Sequence, residues 1–240
     1  MSKRFASFAG PSSPSPTPVK PQPSRPQQGS PAPSSSLRNG NHSETTYHRK
    51  LRTTLLEIQS VTMTWNDLVL HDGLRAAKAL VDARTELSNA LAAFPTGQFP
   101  RTHTVGPKVS LMEDKLEELD MVLSKLQRCF TRLVSLVDTI DELLLDAVKI
   151  RGTAWSQEPL WLTWSLDRFA SQIPNILYPY HRALASHINQ IVTLRPHGLP
   201  FDKARVVINE WATQEWIREE GWDASWGELC EIEVGGWSKF

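Results

Sequence analysis

The chain has 240 residues, 40 % of them hydrophobic and 22 % charged, with 26 basic and 26 acidic side chains. That length and apolar content supply one real core and leave room for a tail. The balanced charge excludes whole-molecule steering towards nucleic acid or an anionic membrane.

Residues 1–45 read as a disordered tail. Pro11, Pro14, Pro16, Pro18, Pro21, Pro23, Pro26, Pro31 and Pro33 alternate with Ser, Gln and Gly. Proline removes amide donors and the polar filler offers no core, so polyproline II character is expected. The tail is basic, with Lys3, Arg4, Lys20, Arg25 and Arg38 and no acid before Glu44. Thr17-Pro18-Val19-Lys20 has the proline and the following base that cyclin-dependent kinases prefer, which makes Thr17 the phosphorylation candidate. Lys3 and Arg4 precede Pro and Ser where a signal peptide needs an apolar core.

Residues 46–152 read as a long helical hairpin. Its first arm carries Leu51, Leu55, Ile58, Thr62, Trp65, Val69, Ala76, Ala79, Ala83, Leu87 and Phe94 at steps of three and four. Gly73 is costly in a helix interior, so a kink or break is expected near His71–Gly73. Pro95, Gly97, Pro100 and Pro107 then make a loop.

The second arm, Ser110 to Ile150, has a coiled-coil seam: Leu116, Leu119, Leu123, Leu126, Phe130, Leu133, Leu136 or Val137, Ile140, Leu143 and Ala147. Ser110 and Glu113 have capping-box spacing, Pro107 bars an earlier start, and Gly152 supplies a stop. The seam must be covered by another helix, in this chain or in another. Its knobs Leu119, Leu126, Phe130, Leu133 and Ile140, with Trp65 opposite, are the candidate contacts for a helical protein partner.

Residues 153–220 read as a smaller helical region. Trp155, Trp161 and Trp164 lie in a linker, and Ser165 can cap a helix to about Leu194. Pro174 and Pro179 kink or restart it, and Arg195-Pro196 ends it. Asp202 is placed to cap a fourth helix running to Glu220. Residues 221–240 are an acidic tail with Trp222, Trp226 and Trp237, suited to docking on this chain or on a partner. Its Leu229–Val234 stretch alternates apolar and acidic, the pattern of a short strand.

No motif of catalysis or phosphate binding is present: no Gly-rich loop, no nucleophile elbow, no His-Glu-x-x-His, no Cys-x-x-Cys. Cys129 and Cys230 have no metal-ligand spacing and fit a reducing compartment. No apolar run is long enough to span a bilayer. The expectation is an all-α protein that is not an enzyme, with no cofactor, metal, small-molecule substrate, membrane or nucleic acid as partner.

Three segments carry a family resemblance. Thr64-Trp65-Asn66-Asp67-Leu68-Val69-Leu70, Leu162-Thr163-Trp164 with the helix holding Tyr180, His181 and Arg182, and Trp211-Ala212-Thr213-Gln214-Glu215-Trp216-Ile217 together resemble the cyclin-dependent kinase 2-interacting protein family. The resemblance covers about residues 47–220 and leaves both tails outside. It implies a nuclear, also cytoplasmic, adaptor that binds cyclin-dependent kinases or an AAA-type ATPase assembly. DNA replication, cell-cycle checkpoint signalling and ribosome biogenesis are the processes it implies. The alternative is a structural coiled-coil subunit of a kinetochore, cytoskeletal or tethering complex.

Overall fold

The structure is a computed structural model that describes residues 44–95 and 102–219, with Trp226, Leu229, Ile232 and Glu233 beyond them. The phosphorylation candidate Thr17, the tail around it, Cys230, Trp222 and Trp237 lie outside the described residues.

Helix α1 (Thr46–Asp67) starts on a capping box that Thr45 builds with His48. His48 Nε2 lies 2.6 Å from the Leu160 carbonyl, which only accepts, so Nε2 carries the ring proton. Nδ1 is then the acceptor that takes the Thr45 amide and hydroxyl. A π-helical turn, Leu68–Gly73, joins α1 to α2 (Leu74–Ala92) with no break in the helical path. Where a kink or break is expected, near His71–Gly73, the structure has this π-helical turn instead.

Helix α3 (Thr102–Arg151) has 50 residues, about 75 Å at the α-helical rise. It begins eight residues before the expected Ser110, and Pro107 sits inside it. Only the bond to the His103 carbonyl is lost, and this first stretch is largely exposed, so the helix tolerates the proline. Ser110 is therefore no cap. At the other end Gly152 takes φ +91°, a conformation that favours glycine, and stops the helix as expected.

The two arms run antiparallel, and their polar contacts order them. Tyr47 donates to Asp146 at 3.1 Å, Arg132 Nε to Glu57 at 2.8 Å, Lys125 pairs with Asp72 at 3.9 Å, and Lys108 pairs with Glu86. As one partner climbs the first arm, the other descends α3. Between them lies a heptad row, Met112, Leu119, Leu126, Leu133, Ile140 and Ala147, each at most 1 % exposed.

The remaining helices cover this hairpin. A short helix α4 (Thr153–Ser156) leads into a loop closed by the Pro159–Ser165 bridge. Ser165 caps α5 (Leu166–Gln172) as expected. Pro174 then opens a 3-10 turn, Ile173–Ile176, and α6 (Leu177–Leu194) restarts with Pro179 in its first turn, where a missing amide costs nothing. α6 packs on α3, and α7 (Phe201–Thr213) packs on α2, so these helices share the hairpin's core.

Asp202 does not cap α7. Pro200 is the N-cap and Asp202 lies exposed in the first turn. The helix expected to reach Glu220 breaks at Gln214 and resumes as α8 (Glu215–Glu219). In the Leu229–Val234 stretch, Leu229 is helical and Ile232 and Glu233 are π-helical, so the described residues there do not form the expected strand. Among the described residues no helix is long and apolar enough to cross a membrane.

Candidate functional site around the π turn

Trp211 of α7 lies against the π turn. Its Nε1 donates to the Val69 carbonyl at 3.0 Å. A Cβ on Gly73 would stand 2.5 Å from Trp211 Cζ2, so only glycine lets the ring approach this closely. π turns are rare and recur at functional sites, because the widened backbone frees carbonyls for outside donors. Here the outside donor is an indole.

Gln214 ties the other side. It is the one non-glycine described residue with positive φ (+45°), a left-handed conformation that costs a residue with a Cβ. Its carbonyl accepts from the Ile217 amide at 3.0 Å, which starts α8. Its side chain accepts from Trp65 Nε1 at 3.1 Å and donates to Asn66 Oδ1 at 3.2 Å. The strain at one residue is offset by hydrogen bonds that satisfy the buried Trp65 indole and tie Asn66 to the same side chain.

His187 of α6 fills the space between the two indoles. Its ring centroid lies 4.4 Å from Trp211 and 6.3 Å from Trp65, and Tyr180 meets Trp65 edge-on at 5.1 Å. Nδ1 donates to Gln190 Oε1 at 2.9 Å. Nε2, buried and without a partner, then holds the lone pair. Burial drives the His187 pKa down to about 4, and the Gln190 hydrogen bond opposes this only in part. The ring is neutral at physiological pH.

A cavity of about 230 Å³ adjoins this cluster, lined by Ser186, His187, Gln190, Glu210, Gln214 and Glu215 among others. The hydrogen bonds of His187 join it to an amide and not to a hydroxyl or a carboxylate. The arrangement orients rings and helices. It contains no nucleophile–base pair built on His187. Among the described residues no group of three or more His, Cys, Asp or Glu is placed to hold a metal.

A second clamp holds the loop before α5. Buried Glu233 accepts from the backbone amides of Leu162 (3.3 Å), Thr163 (3.2 Å) and Trp164 (3.4 Å), and from the Thr163 hydroxyl. Trp161 and Trp164 both meet Phe169, and Arg168 lies 4.4 Å over the Trp164 ring.

The candidate partner contacts are placed differently from the expectation. Trp65, Leu119, Leu126 and Leu133 are 0 % exposed and Ile140 1 %. Phe130 is half-buried with its ring 5.6 Å from His181. A seam left partly exposed for a partner helix is the expectation, but α1, α2 and α6 pack along α3 and cover these positions. Those side chains are core and are not open to a partner helix in the folded chain. Cys129 beside them is a free, half-buried thiol whose pKa burial pushes up.

Gln214, His187, Gly73 and Glu233 take roles that the sequence reading did not give them. Two of them carry a signal in the sequence: Gly73 as a weak point in a helix, and His187 as a polar ring beside the apolar row Leu184, Ile188, Ile191 on α6. Two of the segments that carry the family resemblance do converge here, since Trp65 and Asn66 meet Trp211 and Gln214. No family model matches the chain, and no curated protein matches it.

Proposed function

We propose that the chain is a non-enzymatic helical adaptor of the cyclin-dependent kinase 2-interacting protein kind. It acts in the nucleus and joins a cyclin-dependent kinase or an AAA-type ATPase assembly to replication, checkpoint signalling or ribosome maturation. The observation that supports this reading is an apolar row on the outside of the first arm. Leu56, Met63 and Leu70 recur every seven residues and are 50 %, 62 % and 36 % exposed. Single exposed apolar residues need no explanation, but a heptad row on a long rigid hairpin is the form that a helical partner reads. The partner face is thus moved from the filled α3 seam to the solvent side of α1 and the π turn.

The test is affinity purification of the tagged full-length chain from its own cells, with mass spectrometry. The wild type should recover a cyclin-dependent kinase or an AAA-type ATPase. The Leu56→Asp, Met63→Asp double variant should fold normally and lose it. Equal recovery by the variant, or recovery only of kinetochore or cytoskeletal coiled-coil proteins, would overturn the reading.

A further inference from the structure

Arg84 is the one charged side chain of α2 that is taken into the core, at 4 % exposure. Its Nη2 donates to the Leu194 carbonyl at 2.6 Å, at the C-terminal end of α6. Nε and Nη1 have no hydrogen-bond partner. Burial alone shifts its pKa, downwards, with no carboxylate acting on it. A buried guanidinium with no counter-charge and two unspent donors is an expensive arrangement unless an anion completes it.

Arg84 lines a cavity of about 290 Å³ together with Ser88, Asn89, His197, Pro200 and Phe201. The cavity has no Asp or Glu in its wall. Its far side is the start of α7, a helix of 13 residues whose N-cap, Pro200, makes no side-chain cap. The first-turn amides of Phe201, Asp202 and Lys203 therefore have no acceptor within the helix, and Pro200, Phe201 and Ala204 of this helix start line the same space. Ser88 and Asn89 add a hydroxyl and an amide from α2. Donors from two elements, α2 and the start of α7, border the same cavity.

We infer that the cavity between α2 and the start of α7 is a binding site for a phosphate-type oxyanion, held by the Arg84 guanidinium, the α7 first-turn amides, and Ser88 and Asn89. The volume suits a phosphate or a small phosphomonoester and is small for a nucleotide. Arg84 supplies the fork that matches two oxygens, and the helix amides take the others. Because Arg84 also holds the end of α6, an occupied site locks α2, α6 and α7 together.

The test uses the full-length chain, with amide and arginine side-chain NMR shifts and thermal melts recorded against inorganic phosphate, glycerol phosphate and, at matched ionic strength, chloride. Saturable phosphate-specific shifts at Phe201–Lys203 and at Arg84 Nε are expected, with a raised melting temperature. Tighter binding of glycerol phosphate identifies an esterified group as the occupant, and tighter binding of phosphate identifies the free ion. Asn89→Asp and Ser88→Glu alter only exposed residues of the wall and should fold, yet weaken binding about tenfold or more. Arg84→Lys should weaken it further by loss of the fork. Equal effects of chloride and phosphate, shifts confined to other parts of the chain, or undiminished binding by Asn89→Asp and Ser88→Glu would each overturn the inference.

Discussion

The α3 seam and the π-turn cluster hold the same molecule together by different means. The seam is a row of interchangeable apolar side chains, six deep at heptad spacing, each buried against α1, α2 or α6. Its energy is distributed and depends little on direction. The cluster at Leu68–Gly73 is directional. Two indole N–H groups, one left-handed glutamine, one neutral histidine and one glycine each have a specific partner. The seam sets which helices pair. The cluster sets how α6 and α7 lie on that pair, because Trp211, Gln214 and His187 come from outside the hairpin.

The largest break in this comparison comes from the seam. Leu126→Asp with Leu133→Asp places two unpaired carboxylates at positions with no exposure. The chain should lose its cooperative unfolding transition by circular dichroism, since each burial alone exceeds a few kcal/mol against a total stability of about 5–15 kcal/mol. Single truncation, Leu126→Ala, should cost about 2–5 kcal/mol and leave a folded chain.

Acid sharpens the contrast, because it acts on the cluster through His187. The folded pKa of about 4 lies below the ordinary value of 6.5, so between these values the unfolded chain takes a proton that the native chain refuses. The stability contributed by the neutral ring is present above pH 6.5 and is lost as pH falls towards 4, by about 3 kcal/mol at most. Urea midpoints at pH 7 and pH 5 should differ in the wild type and differ less in His187→Gln. Equal pH dependence of the two would show that His187 does not carry the effect.

A smaller effect is expected at Gly73. Alanine is the better helix former by about 1 kcal/mol, but its Cβ would meet Trp211 at 2.5 Å. Gly73→Ala should destabilise by about 1–2 kcal/mol in denaturant titration. In a Trp211→Leu background the same change should become neutral or stabilising. Additive effects would refute the close approach as the reason for glycine.

The smallest effect belongs to the outer row. Leu56→Asp with Met63→Asp should change stability by no more than about 0.5 kcal/mol per site in thermal melts, whatever it does to partner recovery.

The pattern of what was readable follows the same division. The all-α class, the hairpin, the Gly152 stop, the Ser165 cap and the proline restart before α6 follow from periodicity and local chain chemistry. Periodicity also placed Leu119, Leu126, Leu133 and Ile140 correctly on one face, but it does not reveal which helix covers that face. The break at Gln214 has no local signal, for neither Gly nor Pro is near. It is held by Trp65 and Asn66, about 150 positions away in sequence. Gly73 was legible as a weak point and not as a contact, because its reason is the Trp211 ring. Arg84 sits at a core position of α2 and reads as surface until Leu194 is placed beside it. The early start of α3 through Pro107 shows that a proline near an exposed helix end is a poorer stop signal than one in mid-helix.

The most direct measurement is amide hydrogen exchange of α3 in the isolated full-length chain, recorded over a hundredfold range of dilution. A seam closed by the chain's own α1, α2 and α6 predicts that amides around Leu119–Ile140 are among the slowest to exchange and are indifferent to concentration. Rapid exchange there in the isolated chain, or protection that falls on dilution, would contradict it and return the seam to the role of a partner-binding face.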